Sequence, residues 1–249
     1  MPVAVITGAS GGLGRALALE FRRRGFEIGA VSRRDPGGDV CDWFVAADLA
    51  DPEQLRAAAV AVRARCGTLE LLVNNAGIGS YAKWEELGDA ELRREFELDF
   101  FAPVALTREL LPLLAASRGS IINISSMAAQ VPVACMGAYS AVKAALRMFS
   151  QTLQMEVRGR GIYVLNVCPG RIDTGFSTRA LGSRRAPETP GRTASSPEKF
   201  ARRVYLAWKR RRRELVYPWW YAPVAAFVRR FPGVCERGNR QVWRLGAED

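Results

Sequence analysis

The chain has 249 residues, 49% of them hydrophobic, which is enough for one large α/β domain with an apolar core. Its five cysteines are scattered and odd in number, which argues against a disulfide framework and a zinc site, and no metal site is expected. The formal net charge is +11, and residues 179–249 carry the whole excess, with 17 Lys/Arg against 6 Asp/Glu.

The ends of the chain show no feature that predicts export or membrane insertion. The first residues, "MPVAVITGAS", lack the basic region and cleavage site of a secretory signal. The apolar run "YPWWYAPVAAFV" contains two prolines and is shorter than the about 20 residues that a spanning helix needs. With its free thiols, the chain is expected in the cytoplasm.

Apolar runs alternate with helical patterns along the first 175 residues. Strands are expected at 3–6, 27–32, 43–48, 69–75, 120–125 and 162–168, and helices at 13–24, 52–65, 89–115 and 138–158. This alternation predicts an α/β fold with a doubly wound parallel sheet of Rossmann type, covered by helices on both faces. Residues 177–198 are rich in Ser, Pro, Gly and Arg and predict a long flexible loop.

A glycine-rich turn, "TGASGGLG" (7–14), lies between the first strand and the first helix. Gly8, Gly12 and Gly14 allow a tight turn and let a ligand approach the backbone. The following helix would present its free N–H groups and positive dipole end to a pyrophosphate. The turn therefore predicts a dinucleotide site.

The end of the second strand predicts which dinucleotide binds. It reads Ser32, Arg33, Arg34, and Asp35 lies too far along to change the interpretation. A carboxylate at this point would bind the ribose hydroxyls of NAD, whereas arginine can bind the 2′-phosphate of NADP. The cofactor is predicted to be NADP(H), with plain surface charge as the alternative for the two arginines.

Six motifs, in this order, resemble the short-chain dehydrogenase/reductase family over about residues 1–175. They are T-G-x-x-x-G-x-G at 7–14, Asp48, N-N-A-G at 74–77, Ser126, Y-x-x-x-K at 139–143, and P-G…T ending at Thr174. The resemblance implies an oxidoreductase that interconverts a carbonyl and an alcohol. The cofactor-binding residues that it implies are Gly8, Ser10, Gly12, Leu13, Gly14, Ser32, Arg33, Arg34, Asp48, Leu49, Asn75, Ala76, Gly77, Tyr139, Lys143, Pro169, Gly170, Ile172 and Thr174.

The chain has no histidine, so a tyrosine is expected to move the proton. Tyr139 and Lys143 are four residues apart and share a face of a helix, although ordinary amphipathic helices contain this spacing too. A neighbouring ammonium lowers the tyrosine pKa from about 10, so Tyr139 can exchange a proton with the substrate oxygen. The resemblance implies that Ser126, rather than Ser125, hydrogen-bonds that oxygen and that Lys143 also holds the nicotinamide ribose.

The sequence departs from the family at Asp99, where the family usually has an asparagine that helps hold a water linking the lysine to solvent. An aspartate still accepts hydrogen bonds but has lost the amide donor, and it would add a negative charge near Lys143. The proton relay could persist, slow down or shift its pH optimum. A catalytically weak protein that senses the cofactor or acts as a scaffold is the alternative.

The substrate is expected to be a small apolar carbonyl compound or alcohol. In this family the loops at about 79–81, 127–136 and 171–176 would shape its pocket, and "MAAQVPVACM" is mostly apolar. A core-filling role for these residues fits equally well. One domain is expected over 1–249, with a cofactor-binding and catalytic core at 1–175 and a substrate loop and basic C-terminal extension at 176–249.

Residues 203–232 combine five consecutive basic residues, 209–213, with aromatic residues that include Trp208 and residues 219–221. This pattern fits peripheral contact with an anionic membrane. Nucleic acid is a less favoured partner because no nucleic-acid-binding fold is present. The pattern also fits a solvated helix end, a final strand "ELVYP" and aromatics that close a pocket or subunit interface. The resemblance further implies a homodimer or homotetramer that pairs through the helices at 89–115 and 138–158.

Overall fold

The computed structural model describes residues 1–187 and 194–245. Within them, seven parallel strands form one sheet in the order β3-β2-β1-β4-β5-β6-β7. The strands are β1 (Val3–Thr7), β2 (Glu27–Ser32), β3 (Trp43–Ala46), β4 (Leu71–Asn74), β5 (Ser120–Ile124), β6 (Tyr163–Pro169) and β7 (Glu214–Tyr217). The helices are α1 (Gly12–Arg23), α2 (Pro52–Arg65), α3 (Asp89–Phe96), α4 (Ala102–Ser117), α5 (Gly137–Val157), α6 (Pro197–Lys209), α7 (Tyr221–Arg230) and α8 (Pro232–Val242). The predicted doubly wound α/β fold of Rossmann type is confirmed.

Helices cover both faces of the sheet because alternate residues of each strand point to opposite sides. On one face, Ile6 of β1 belongs to a hydrophobic core with Phe21 of α1 and Phe200 of α6. On the other face, its neighbour Val5 belongs to a core with Leu106 of α4 and residues of α2 and α5. Full burial of such a side chain stabilises the fold by roughly 1.5–3 kcal/mol, so the two cores hold the sheet firmly.

The strand order reverses at β1, which pairs with β2 on one side and with β4 on the other. In open parallel sheets, ligands bind at such a reversal, outside the carboxyl ends of the strands. The helix α1 begins at Gly12, soon after β1 ends at Thr7, so its amino end lies at this edge. The fold thus places the glycine-rich turn where a ligand would bind.

The long helix predicted at 89–115 is interrupted in its first half. After α3, residues Glu97–Phe101 form a single π-helical turn before α4 begins. Such turns are rare and occur frequently at functional sites. This one carries Asp99, whose side chain is fully buried. A smaller difference is that the third strand, predicted to reach residue 48, ends at Ala46.

One helical stretch, 89–117, is long and apolar enough to cross a membrane by length and composition. Three of its side chains, Leu106, Leu110 and Leu114, are fully buried against the sheet. This is how a core helix packs, and core helices satisfy the same length and composition test.

The loop predicted at 177–198 contains local structure where it is described. Ser177–Arg179 form a 3-10 turn, Ser195 bridges to the segment after β6, and α6 already begins at Pro197. Residues 188–193, which the prediction of a flexible loop also covered, lie outside the described residues.

The strand β7 separates the two halves of the basic and aromatic segment. Residues 209–213 precede β7 at the amino edge of the sheet, whereas residues 219–221 follow it at the carboxyl edge. Trp208 lies apart from both, since its ring centroid is 5.7 Å from those of Phe21 and Phe26 in the core beside α1. Grouping Trp208 with the later aromatics is therefore wrong, because α6 turns it toward the protein interior.

Candidate active site

A cavity of about 850 Å³ opens at the carboxyl edge of the sheet. It brings together residues that are far apart in the sequence. The predicted site residues that line it are Gly8, Ser10, Gly12, Leu13, Ser32, Arg33, Arg34, Asp48, Leu49, Asn75, Ala76, Gly77, Ser126, Tyr139, Lys143, Pro169, Gly170, Ile172 and Thr174. Two predicted site residues, Gly14 and Asp99, lie behind the wall instead.

The glycines of the first turn have two different tasks. Gly8 and Gly12 adopt φ angles of 69° and 54°, which favour glycine because a side chain would strain them. Gly14 allows close packing, since a Cβ there would lie 2.2 Å from the Gly8 carbonyl oxygen. Gly14 therefore acts on the cavity by letting α1 approach the turn, and it is not part of the wall.

The threonine at the end of β1 attaches the neighbouring strand end to the turn. The Thr7 hydroxyl oxygen accepts hydrogen bonds from the backbone N–H groups of Asn75 and Ala76, each at 2.9 Å. In return, the Asn75 side-chain amide donates to the Thr7 carbonyl oxygen at 3.0 Å. These bonds hold the N-N-A-G segment against the first turn, where it forms one side of the cavity.

At the end of β2, two arginines reach the cavity and the following aspartate turns away. The Ser32 hydroxyl donates to the Arg34 carbonyl oxygen at 2.8 Å and fixes the course of the chain. Arg33 and Arg34 are exposed and line the cavity. The Asp35 carboxylate accepts a hydrogen bond from the Gly37 N–H at 2.8 Å, within the loop that follows β2, and Asp35 does not line the cavity. This end of the cavity therefore presents positive charge.

Asp48 follows β3 and is held in the cavity wall by an arginine of α3. Its carboxylate accepts from the Arg94 guanidinium at 2.7 Å and from the Ala50 N–H at 3.1 Å. Burial raises the pKa of Asp48, but these two hydrogen bonds lower it, and the net direction is downward. Asp48 thus stays ionised as a hydrogen-bond acceptor.

Tyr139 and Lys143 lie in the first two turns of α5, and both are buried beside Ser126. The Lys143 Nζ is 5.8 Å from the centre of the Tyr139 ring. The Ser126 Oγ accepts from the Ala128 N–H at 3.1 Å, which leaves its O–H available as a donor. The adjacent Ser125 hydroxyl instead donates to the Lys143 carbonyl oxygen at 2.9 Å, so it holds α5 in place.

The π-helical turn brings Asp99 against the lysine of α5. The Lys143 Nζ lies 2.9 Å from Asp99 Oδ2 and donates to the Ile124 carbonyl oxygen at 3.1 Å. The second Asp99 oxygen accepts from the Ile78 N–H at 2.8 Å. Both side chains are almost completely buried. The aspartate thus forms a direct ion pair with the lysine, in the place where the family usually has an asparagine.

The pKa values of this pair are shifted by burial and by each other. Burial lowers the pKa of Lys143, but the Asp99 carboxylate raises it, and the net direction is upward. For Asp99, burial raises the pKa against the lowering effect of Lys143. These directions oppose each other, since one favours a charged lysine and the other a neutral aspartate. We assign the charged pair, because the Lys143 Nζ lies 2.9 Å from Asp99 Oδ2 and the Ile78 N–H donates to Asp99 Oδ1 at 2.8 Å.

The pKa of Tyr139 differs in net direction from the one predicted. Lys143 does lower the Tyr139 pKa, as expected, and the Ser126 hydroxyl lowers it too. Burial has the largest effect, however, and it raises the pKa together with the Asp99 carboxylate, so the net direction is upward. Burial therefore favours the protonated hydroxyl of Tyr139, and Lys143 opposes this by favouring the phenolate.

Glu95 is a buried acid beside this site that the sequence interpretation missed. Its Oε2 accepts from the Ser80 hydroxyl at 2.7 Å, and its Oε1 has no hydrogen-bond partner among the described residues. Burial and the Asp99 charge raise its pKa to about 7. The sequence feature that could have revealed Glu95 is its spacing of four residues from Asp99, which places both on one helix face. A glutamate in a charged helix is, however, usually interpreted as solvent-exposed.

Replacing Glu95 with glutamine should remove a pH dependence of stability. Between its ordinary pKa of 4.5 and about 7, the folded chain holds a proton on Glu95 that the unfolded chain releases. The free energy of unfolding therefore falls as pH rises through this window. We expect Glu95→Gln to unfold like the parent at pH 4.5 and to be more stable by about 2–3 kcal/mol at pH 8.

Urea unfolding at the two pH values would measure this difference. Glu156→Gln is the matched control, because Glu156 is exposed on α5 and its replacement should leave both values unchanged. A parallel pH profile for Glu95→Gln and the parent would show that the Glu95 carboxyl is ordinary.

The sequence and the fold both have known relatives. A family model described as short chain dehydrogenase matches residues 2–183. The chain belongs to the short-chain dehydrogenase family. A curated member, the short-chain dehydrogenase ptmH of Penicillium ochrochloron, is 38% identical over 178 residues, which cover 68% of this chain and 65% of that protein. The chain spans between 49% and 65% of the length of the first three curated relatives that it matches.

Solved structures of short-chain dehydrogenases share the whole fold. One from Streptomyces avermitilis has a TM-score of 0.80 at 30% identity and covers 98% of both chains. One from Sphingobium yanoikuyae, in complex with NADPH, has a TM-score of 0.79 at 28% identity and covers 95% of this chain and 96% of that chain. A further similar structure, a short-chain dehydrogenase from Burkholderia cenocepacia, is a complex with NADP at 27% identity and a TM-score of 0.80. The cofactors in these complexes are properties of those proteins, and membership of the family leaves the cofactor preference of this chain open.

Proposed function

We propose that this short-chain dehydrogenase interconverts a carbonyl and an alcohol with NADP(H), and that Tyr139 is its acid–base residue. The observation that carries the proposal is one cavity in which Tyr139, Lys143 and Ser126 share a wall with the glycine-rich turn. A proton donor, its charged neighbour and a dinucleotide cradle then meet around a space that can hold both reactants.

The residues of the cavity fit a nicotinamide dinucleotide. Gly8 has a φ of 69°, and a Cβ there would lie 3.0 Å from the Ala76 Cα, so glycine lets the first turn pack closely against the N-N-A-G segment beside the cavity. The amino end of α1 offers N–H groups and a positive dipole end to the pyrophosphate. Arg33 and Arg34 would bind a 2′-phosphate, and Lys143 the nicotinamide ribose. When bound, the cofactor supplies or accepts the hydride.

The chain's own residues would handle the proton. During reduction, the Tyr139 hydroxyl donates its proton to the carbonyl oxygen, and during oxidation its phenolate accepts one from the alcohol. The Ser126 hydroxyl donates a hydrogen bond to the same oxygen and orients it. Lys143 favours the phenolate electrostatically, and Asp99 keeps the Lys143 ammonium charged and in place. Asp99 is thus a positioning residue.

The cofactor preference can be tested by removing the two arginines at the end of β2. In the double variant Arg33→Ser/Arg34→Ser we expect NADPH affinity to fall by about 10–100-fold, because charge-assisted hydrogen bonds to the 2′-phosphate are lost. NADH affinity should stay the same, since NADH has no phosphate there. Titration with each cofactor, followed by its fluorescence, measures both constants.

The adjacent pair Arg202→Ser/Arg203→Ser is the matched control. Both arginines are exposed on α6 and do not line the cavity, so neither affinity should change. Tighter binding of NADH than of NADPH by the parent protein would refute the preference for NADP(H).

The substrate side of the cavity is mainly apolar. Met127, Val131, Val133 and Met136, from the loop at 127–136, line it. We therefore expect small apolar ketones, aldehydes or secondary alcohols as substrates. NADPH consumption with a panel of such carbonyl compounds tests the reaction. NADPH binding without turnover of any of them would favour the alternative of a cofactor-sensing or scaffold protein.

A homodimer or homotetramer that pairs through the helical stretches at 89–115 and 138–158 remains a prediction. The long helices leave large apolar side chains at the surface, namely Phe101, Met148 and Met155. Pairing of copies would cover such side chains.

A further inference from the structure

The two C-terminal helices leave a group of large apolar side chains exposed. Its members, which together we name the α7–α8 surface, are Trp219, Trp220, Val224, Phe227, Phe231 and Val234. Each of them exposes between 46% and 74% of its area to solvent. Soluble proteins rarely leave large apolar side chains exposed together unless the surface meets a partner.

The spacing along α7 shows that these side chains form a continuous stripe. Positions 220, 224, 227 and 231 recur every three or four residues, so they lie on one face of the helix. The rings of Phe227 and Phe231 are 4.9 Å apart. A second face of α7 is anchored, since Ala225 is fully buried beside Met127 and Cys168. The exposed stripe is therefore held in position by packing on the rest of the protein.

The same region is strongly positive. Residues 219–245 contain five arginines, Arg229, Arg230, Arg237, Arg240 and Arg244, and a single acid, Glu236. Each of these arginines is exposed, and the Arg230 guanidinium lies 5.3 Å from the centre of the Phe231 ring. Aromatic rings beside arginines suit the interface of an anionic membrane, where rings sit at headgroup depth and guanidiniums meet phosphates.

We propose that the α7–α8 surface docks on an anionic lipid membrane. The charge decides between this occupant and a second copy of the chain. Two copies that pair through this surface would bring like charges together, which opposes association. An anionic bilayer offers opposite charge to the arginines and an apolar layer to the exposed rings.

Docking at this surface would place the mouth of the cavity at the membrane. Val224 belongs both to the α7–α8 surface and to the cavity lining, and Tyr221 and Val242 of the same helices also line the cavity. A carbonyl compound dissolved in the bilayer would then reach the cavity without crossing water. This consequence for the substrate rests on the proposed oxidoreductase function, whereas docking itself does not.

The basic run at 209–213, which the sequence pattern had suggested as the lipid contact, is separated from this surface. It lies before β7, at the amino edge of the sheet, while α7 and α8 follow β7 at the other edge. A rigid protein docked through α7 and α8 would hold this run away from the lipid. The run therefore supplies a control of similar charge.

Sedimentation with lipid vesicles tests the proposal. The probes are vesicles of phosphatidylcholine alone and of phosphatidylcholine mixed with phosphatidylglycerol. We expect the parent protein to bind the mixed vesicles and to bind phosphatidylcholine much more weakly. The double variant Phe227→Ser/Phe231→Ser should lose about 10–100-fold in affinity for the mixed vesicles, because two rings no longer enter the interface.

Two matched variants distinguish vesicle binding through the α7–α8 surface from unspecific adsorption through other exposed side chains. Val60→Ser/Trp84→Ser removes exposed apolar side chains elsewhere, and Arg212→Ser/Arg213→Ser removes charge from the basic run; neither should change vesicle affinity. NADPH titration of each variant confirms that it is folded. Because sedimentation needs no turnover, a protein that binds vesicles but reduces no carbonyl would leave docking intact and contradict only the proposed function.

Three results would overturn the proposal. They are equal vesicle binding by the parent and the Phe227→Ser/Phe231→Ser variant, no binding of the parent to mixed vesicles, and loss of binding in Arg212→Ser/Arg213→Ser alone. If the Phe227→Ser/Phe231→Ser substitutions instead reduce the size of the protein in solution and leave vesicle binding unchanged, the surface is an interface between copies.

Discussion

Replacing Tyr139 with phenylalanine should lower kcat for carbonyl reduction by about 10²–10⁴-fold, the usual contribution of a positioned acid–base group. The substitution removes only the hydroxyl. The ring, whose centre lies 5.7 Å from that of Phe176, keeps its contacts, so NADPH affinity and thermal stability should change little. A steady-state assay with the best carbonyl substrate, combined with cofactor titration, separates the loss of chemistry from a loss of binding.

Tyr205→Phe is the control for this prediction. Tyr205 packs against Phe21 and Trp208 in the core beside α1 and does not line the cavity, so its hydroxyl has no part in the proposed chemistry. Its loss should leave kcat unchanged. An unchanged kcat in Tyr139→Phe as well would refute Tyr139 as the acid–base residue and would require another proton donor in the cavity wall.

Replacing Asp99 with alanine should destabilise the folded protein by about 3–5 kcal/mol at pH 7, because it leaves the Lys143 ammonium buried without its partner. Burial has the largest effect on the Lys143 pKa and lowers it, and without Asp99 only Tyr139 and Glu95 oppose that effect. Asp99→Asn should lose less stability, since its amide oxygen can still accept from the Ile78 N–H. Urea unfolding of the three proteins at one pH gives the order parent, Asp99→Asn, Asp99→Ala.

Glu156→Ala serves as the reference, because this exposed glutamate of α5 can be removed at a cost within about 0.5 kcal/mol. A loss of similar size in Asp99→Ala would mean that the ion pair contributes little and that Lys143 is held mainly by the Ile124 carbonyl oxygen. Equal stability of Asp99→Asn and the parent would show that the negative charge is dispensable and that a polar acceptor suffices.

The aspartate gives this site a different electrostatic balance from that of a family member with asparagine. A fixed negative charge beside Lys143 keeps the ammonium charged, but the same charge raises the pKa of Tyr139. Glu95 does not add a full second charge near neutral pH, because its own pKa lies at about 7. The proton-transfer step is therefore expected to respond to pH through several coupled groups.

Much of the fold could be predicted because its signals are local. In the sequence, the buried parallel strands are short apolar runs. The helices are periodic apolar patterns that begin and end at recognisable residues. The first turn was predictable because Gly8 and Gly12 need φ angles that other residues avoid. Tyr139 and Lys143 were predictable as neighbours because four residues make about one helical turn.

Other parts of the site depend on contacts between distant segments. No local pattern indicates that Asp99 touches Lys143, 44 positions later, or that a π-helical turn aims it there. Glu95 looks like an ordinary surface glutamate until α3 packs beside α5 and buries it. The resemblance chose Ser126 over Ser125, but only the structure shows that the Ser125 hydroxyl donates to the Lys143 carbonyl oxygen of α5.

The sequence by itself determined the fold class, the glycine-rich cradle, the pair Tyr139 and Lys143 and the positive end of β2, because each follows from residue type and short-range spacing. Only the tertiary structure decided that Asp99 forms a direct ion pair with Lys143, that Glu95 is buried and that the basic run is separated from the α7–α8 surface. The physical reason is that burial and ion pairing depend on which segments the sheet brings together. The free energy of those contacts cannot be inferred from the sequence of any one segment alone.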